Sequence, residues 1–347
     1  MIKNKSLVLY HFFEKDKSYI DNLMHFLKFG YSKDIDYLII LAGVVTIELP
    51  RLKNVNYLHT NNFNHDFGGY CEAISTIQHI LEYDYLFFIN SSTRGPFLIG
   101  PQREHWTQTF IDQLLPDVGI VGVSINILHK NTVFVNLYNR TYSQPLNYAH
   151  VQTTAYAMPR RSLELLLKIG FYNQAEQLDK FEVVTQYELR LSQILIANGL
   201  NLRCLLSEYN QIDYRNPIED INPTSYLGDL CYSKAYFGRT VHPYEIMFVK
   251  TNREIYKDSY LKRIAYSMLK INQLPIESTQ SIEYAAYIQN IVNEAESNEL
   301  VDFQNLKMDA SEILNYVRGL VYAHPEYGSV IHDLVTSTNG LSRPPIE

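Results

Sequence analysis

The sequence withholds most of the signals that announce a catalytic class. Cysteine occurs three times, at Cys71, Cys204 and Cys231. The odd number and wide spacing indicate neither a disulfide framework nor a zinc cluster, and a reducing, cytoplasmic compartment fits best. No apolar run approaches about 18 residues, so no transmembrane helix is expected. The opening MIKNKSLVLYHFFEK sets two lysines before an apolar run. Charge follows too soon and there is no small-residue cleavage site, so this stretch reads as a first strand rather than a signal peptide. A basic surplus is missing as well. Lys and Arg number 30 against 37 Asp and Glu, a net charge of −7, and extended nucleic-acid binding needs a basic surface to displace counterions. There is no Gly-x-Ser-x-Gly elbow, no phosphate loop ending in Gly-Lys-Ser/Thr, no His-Glu-x-x-His and no Gly-x-Gly-x-x-Gly after the first strand. Asp66-Phe67-Gly68 matches the letters of a kinase motif, but its lysine and catalytic-loop partners are absent. Repeats and low-complexity segments are absent too.

What is present is the material for a large core. The chain is 46% apolar and 19% charged, ordinary for a soluble globular protein. Its 347 residues exceed a usual single domain, so one large α/β domain with a smaller appendage is the default. Tyrosine is frequent, at 28 residues. That excess suits stacking on bases and sugar rings, or reflects compositional bias alone.

Hydrophobic periodicity predicts strands at Ser6–Phe13, Ile35–Ala42 and Val55–His59, with a helix over Ser18–Phe29. A helix over Cys71–Leu81 follows, then the apolar run Tyr85–Ile89, which reads as a strand buried on both faces. Val118–Val123, His150–Ala157 and Leu202–Leu206 are further strands, and Arg161–Ile169 is a helix closed by Gly170. Pro101–Leu115 reads as a loop and helix, and 128–147 as an aromatic, polar excursion of weak periodicity. Such alternation implies a Rossmann-like, mostly parallel sheet flanked by helices over residues 1–257. From 258 to 347 the pattern turns helical, with Tyr260–Leu269, Ile282–Ala295, Ala310–His324 and Tyr327–Thr336 ahead of a frayed tail. This appendage is compatible with self-association, docking at a membrane surface or holding a partner enzyme.

Small polar groups begin where the apolar strand stops, at Asn90-Ser91-Ser92-Thr93-Arg94-Gly95. Ligands of open α/β sheets bind beyond the carboxyl ends of the strands, which makes this tip the first place to look for a site. Asp66, Gly68 and Gly69 precede the expected helix Cys71–Leu81, where free backbone N–H groups and the lack of a Cβ suit a phosphate close to the chain. Thr185-Gln186-Tyr187-Glu188 opens another expected helix, running to Ala197. Glu188 is there either the N3 member of a capping box on Thr185 or a carboxylate with chemistry to do.

Taken in order, LVLYHFFEKD, NLMHFLKFG, DFGGY, YDYLFFINSSTRGPF, HVQTTAYAMPRRSLELL and HPYEIMFVK resemble bacterial, algal and viral glycosyltransferases of the GT-A fold, related to the rhamnan-synthesis proteins. The likeness covers roughly the first 250 residues. It implies a nucleotide-diphospho-sugar donor lying across the first strands. Tyr10 and His11 would then lie near the base unless Tyr10 simply packs in the core, and Asp66 near the ribose or diphosphate. It further implies acceptor-side roles for His150 and Gln152, and donor contacts from His242 and Lys250, for which a salt bridge or satisfied polar contact is the plain alternative. Glu188 would be the general base of an inverting transfer to a glycan or lipid-linked acceptor in surface-polysaccharide assembly.

Most such enzymes hold Mg²⁺ or Mn²⁺ with Asp-x-Asp where this chain has Asn90-Ser91-Ser92. Neutral oxygens are poor sole ligands for these ions. Either the diphosphate holds the cation with help from Asp66 or His242, or side chains such as Arg94 replace it. The enzyme reading requires Asp66, Arg94 and His242 to share a hollow. Two alternatives are a non-catalytic scaffold binding a nucleotide sugar or glycan, and, more weakly, a nucleotidyltransferase.

Overall fold

A computed structural model of the chain describes residues 4–98, 106–142, 146–173, 177–253, 255–271 and 281–296. The helices expected at Ala310–His324 and Tyr327–Thr336 lie outside them. Eleven strands are present among the described residues: β1 (Ser6–Phe13), β2 (Asp36–Ala42), β3 (Val55–Thr60), β4 (Tyr85–Asn90), β5 (Thr93–Arg94), β6 (Val118–Gly122), β7 (Ile125–Ile127), β8 (Ala149–Val151), β9 (Ala155–Pro159), β10 (Asn201–Cys204) and β11 (Val249–Lys250). Seven form one sheet in the order β10-β6-β9-β4-β1-β2-β3, and β9 alone runs antiparallel to its neighbours. The α/β, mostly parallel architecture expected from the alternation is what the chain adopts.

β1 is central because its eight residues are almost wholly buried, as a strand covered by helices on both faces must be. Tyr10 stacks on Phe26 at 4.7 Å between ring centroids, and Phe88 of β4 stacks on Tyr156 of β9 at 4.8 Å. The first helix, α1 (Lys17–Phe29), starts where Asp16 accepts from the N–H groups of Ser18 and Tyr19, an acidic cap that satisfies two orphan donors. Helix α2 (His65–Thr76) begins and ends earlier than expected, because Gly68 and Gly69 lie inside it. A Cβ on Gly69 would sit 2.5 Å from His11 Cδ2, and one on Gly68 1.9 Å from the Phe63 carbonyl oxygen. The glycines therefore let α2 press onto β1 and the preceding loop, and the phosphate turn read from them is corrected. The expected strand over His150–Ala157 divides into β8 and β9, with β8 pairing with β7 in a separate two-stranded ribbon.

The remaining helices are α3 (Trp106–Ile111), α4 (Val133–Thr141), α5 (Arg160–Lys168), α6 (Lys180–Val183), α7 (Arg190–Ala197), α8 (Pro243–Ile246), α9 (Asp258–Ile271) and α10 (Ile282–Glu296). The excursion read at 128–147 contains α4. Helices α9 and α10 share the main core through Leu261, Met268, Tyr287 and Ile291. None of the described helices is long and apolar enough to cross a membrane.

Arg94 is the polar joint of this packing. It is 1% exposed, donating from Nε to Asn22 Oδ1 at 2.8 Å and from a terminal nitrogen to Asp258 at 2.5 Å. This corrects the reading of Arg94 as a diphosphate ligand, since its guanidinium lies inside, tying α9 to α1, with its second terminal nitrogen buried and lacking a hydrogen-bond partner among the described residues. Asp258 is half-exposed, but removing it leaves the buried Arg94 charge uncompensated. Asp258→Ala is therefore expected to lower the unfolding free energy by about 3 kcal/mol, measured by urea denaturation.

Candidate active site

The chain runs outward from β1 to β2 to β3, then returns to the other side of β1 for β4. Between the carboxyl ends of β1 and β4 the sheet thus has its topological switch point, where open α/β folds bind ligands. The tip of β4 is braced there. Asn90 N–H donates to the Thr154 carbonyl at 3.1 Å and Ser91 N–H to that of His11 at 2.9 Å, while Ser91 Oγ accepts from Phe13 N–H at 3.1 Å. Ser91 is buried and acts as a brace, which corrects its reading as a donor contact. The Asn90 amide donates to Asp66 Oδ2 at 2.9 Å, and its oxygen accepts from Ser92 Oγ at 2.5 Å.

The chain then comes back to this tip from far along the sequence. β11 pairs antiparallel with β5 and sets Lys250 opposite Thr93. Thr251 N–H donates to the Ser92 carbonyl at 3.0 Å, and the Asn22 amide clamps both strands by donating to the Ser91 carbonyl at 2.9 Å and Thr251 Oγ1 at 2.7 Å. Lys250 lies among Arg253, Asp229 and Glu188, with burial lowering its pKa foremost. Arg253 pairs with Asp229 at 2.5 Å, both largely buried. The plain alternative of a salt bridge at Lys250 gives way to a largely buried row of charges.

Glu188 arrives by a distortion. The expected capping box on Thr185 is not formed. The helix starts earlier, where Asp179 and Glu182 make the box, and Thr185 Oγ1 donates instead to the Phe181 carbonyl at 2.8 Å. Residues Val184–Leu189 form a π-helical turn between α6 and α7, a device that recurs at functional sites. Tyr187 in that turn stacks on Phe67 at 5.1 Å, seating Glu188 beside Asp66. Asn64 and His65, both with φ near 54°, lead the chain into α2, and Asn64 Oδ1 accepts from Leu178 N–H at 2.8 Å. Non-glycine residues held left-handed store strain, which clusters at functional sites.

Burial foremost, and then the Glu188 carboxylate, push Asp66 up to about 7, against the Asn90 hydrogen bond that lowers it. Tyr19 of α1 lies close enough to Asp66 and Asn252 to respond to both. The crevice thus gathers Asp66, Asn90, Ser92, Glu188 and Lys250, with His150 and Gln152 reaching it through Asp229. The Gln152 amide donates to Asp229 Oδ1 at 3.2 Å. Burial takes His150 down to about 4, with Lys250 acting the same way and Asp229 opposing.

The other expected residues do not join it. Tyr10 is core. His11 is buried under α2, pushed down to about 3 by burial and by His65, so its reading near a base is corrected. His242 caps α8, its Nδ1 accepting from Tyr244 N–H and its Nε2 facing the Tyr260 hydroxyl, each at 3.2 Å. With both His242 nitrogens engaged and Arg94 turned inward, the shared hollow of Asp66, Arg94 and His242 that the enzyme reading required is not formed, and such a reading has to rest instead on Asp66 with Glu188 and Lys250. Asp229, Tyr19, Asn252 and Arg253 were not read as site residues, since no motif marks them.

The donor set does not form a cage for the divalent cation that the resemblance implies. Asp66 favours a proton and gives one oxygen to Asn90, the Asn90 oxygen serves Ser92, and no three His, Cys, Asp or Glu among the described residues are grouped to hold a metal.

No protein-family model matches the chain, and no curated protein matches it significantly. Solved structures similar to it include the galactosyltransferase LgtC in complex with donor and acceptor sugar analogs. That match has 11% identity and TM-score 0.38, spanning 81% of this chain and 99% of that one. The mannosyltransferase PcManGT from Pyrobaculum calidifontis, in complex with GDP-Man and Mn²⁺, is 8% identical with TM-score 0.38, spanning 98% and 81%. A glycosyltransferase involved in glycosylation of the major capsid of PBCV-1 is 15% identical with TM-score 0.30, spanning 58% and 81%.

Between about pH 4 and pH 7 the folded chain keeps a proton on Asp66 that the unfolded chain has released, so stability contributed by this group falls as pH rises through that window. Asp66→Asn is expected to remove that fall and to leave the protein more stable than wild type at pH 8, measured by thermal unfolding at pH 5 and pH 8.

Proposed function

We propose that the chain is a glycosyltransferase, moving a sugar from a nucleotide-diphosphate donor to a hydroxyl of a glycan or lipid-linked acceptor, with inversion. The carrying observation is the delivery of Glu188, by a π-helical turn, to the switch-point crevice beside Asp66 and Lys250. The motif resemblance supplies the substrate class. In this reading Glu188 takes the proton of the acceptor hydroxyl as its oxygen attacks the anomeric carbon, in one in-line displacement. A proton resting on Asp66 relieves the repulsion between the two carboxylates. The departing nucleoside diphosphate gains negative charge as the glycosidic bond breaks, and Lys250 and Arg253 stabilise that charge more than the ground state. We assign the chain to surface-polysaccharide assembly, such as O-antigen or capsule, at the cytoplasmic face of a membrane, on the resemblance alone.

The neutral tip at Asn90 favours one second reading, a non-catalytic scaffold that binds the donor without transferring it. Donor binding with neither transfer nor slow donor hydrolysis identifies that case.

Glu188→Gln is expected to reduce kcat by about 10²–10⁴-fold while the thermal shift given by a nucleotide-diphosphate panel (UDP, GDP, dTDP) is kept. Unchanged turnover removes Glu188 as the base. Turnover is also expected to persist in EDTA, because the charge on the leaving group is met by side chains; loss restored by Mn²⁺ overturns that assignment.

A further inference from the structure

A hollow of about 380 Å³ lies where helix α1 meets helix α10, and the reaction above does not use it. Ile20 and Asp21 of α1 form one wall, and Glu283, Ala286 and Tyr287 of α10 form another. Its volume falls in the range of about 300–1,000 Å³ in which proteins hold small molecules.

Four carboxylates, of Glu14, Asp16, Asp21 and Glu283, face two ammonium groups, of Lys15 and Lys17, around this hollow. Two of the four are accounted for by the backbone nearby. Glu14 accepts from the Thr46 hydroxyl at 2.5 Å and from Thr46 N–H at 2.7 Å, and Asp16 caps α1. Asp21 is only half engaged. It is 4% exposed, and its Oδ1 accepts from the Lys17 ammonium at 2.9 Å, while Oδ2 takes part in no hydrogen bond among the described residues. Glu283 is less engaged still, for its Oε2 is buried without a hydrogen-bond partner among the described residues. A glutamate in the first turn of a helix ordinarily stands in water and answers the helix dipole. One with an unmatched, buried oxygen at the wall of a hollow calls for a donor. The broad terminal torsion of glutamate lets it present either oxygen to that donor.

We propose that this hollow binds a small organic cation, an ammonium or guanidinium group on a short apolar stem, between α1 and α10. The site goes beyond the transferase reading and does not depend on it. The head group donates to Glu283 and to Oδ2 of Asp21, in charge-assisted hydrogen bonds. The stem lies against Ile20, Ala286 and the Tyr287 ring. Asp21 is shared with Lys17 and also feels the charge of Arg94, so Glu283 is the principal acceptor. A bare divalent ion fits less well. Such ions take about six or more oxygens, and no three His, Cys, Asp or Glu among the described residues are grouped to hold one. An anion meets the surplus of carboxylates, and the two lysines are drawn elsewhere, Lys17 to Asp21 and Lys15 over the Tyr19 ring at 5.5 Å.

Because the walls come from two helices distant in sequence, the site exists only in the folded chain, and its occupant raises the unfolding temperature. Thermal unfolding of the full chain in low-salt buffer with putrescine, agmatine or butylamine tests the proposal, with butanediol as the neutral analogue and magnesium chloride as the inorganic one. At least one amine is expected to raise the midpoint, the two controls are not, and added salt is expected to diminish the rise. Isothermal titration calorimetry with that amine is expected to show binding weakened about tenfold in Glu283→Gln, which loses one charged hydrogen bond. Ala286→Trp, which fills the hollow from an exposed position, is expected to abolish binding. The unfolding midpoint of each variant without ligand reports that it is folded. No shift with any amine in wild type, an equal shift with butanediol or magnesium chloride, or binding unchanged in both variants overturns the site.

Discussion

Two carboxylates that share a poorly solvated space cannot both stay ionised cheaply, and the arrangement around Asp66 and Glu188 answers that constraint. Burial and the neighbouring negative charge raise Asp66 until a proton is retained near neutrality. Beyond Glu188 the signs then alternate through Lys250, Asp229 and Arg253. Charge is thus balanced along the row by side chains, without carboxylates grouped for a cation. A functional site of this kind is a set of perturbed groups held against their own repulsion, which the surrounding structure must oppose by rigidity.

That rigidity is supplied from beneath. Asn22 of α1 clamps the Ser91 carbonyl and Thr251, Arg94 engages Asn22 from the other side, and Asp258 engages Arg94. His25 adds a hydrogen bond of 2.7 Å to the Tyr287 hydroxyl of α10. The two described C-terminal helices therefore bear on this framework through two polar contacts, Asp258 with Arg94 and Tyr287 with His25. Their packing and the position of the crevice are parts of one problem.

The sheet was legible because its strands are long apolar runs whose period and bounding turn residues carry over directly into pairing, as in β1, β2 and β4. Asp66, Asn90, Ser92, Glu188 and Lys250 could be picked out as candidates because each lies at a strand or helix terminus, or in a motif, and the structure brings them near one another. The failures share a different cause. Tyr10 and His11 alternate across a strand buried on both faces, so neither side chain could reach solvent. Gly68 and Gly69 are small for the sake of helix packing, a need indistinguishable in one sequence from close approach to a phosphate. Arg94 lies two residues past the polar tip, and only the partners Asn22 and Asp258, distant in sequence, decide that it turns inward. The π-helical turn has no periodic signature of its own, and Asp229 no motif.

The short ladder between β5 and β11 has a temporal meaning. Its two strands are made far apart on the ribosome, so β1 to β4 can pair while the segment bearing Lys250 has yet to be synthesised. A nascent chain at that stage owns a sheet and an acidic pair but lacks the ammonium that faces them. On the function proposed above, the cations that would meet the leaving diphosphate are therefore added late, after the scaffold has formed.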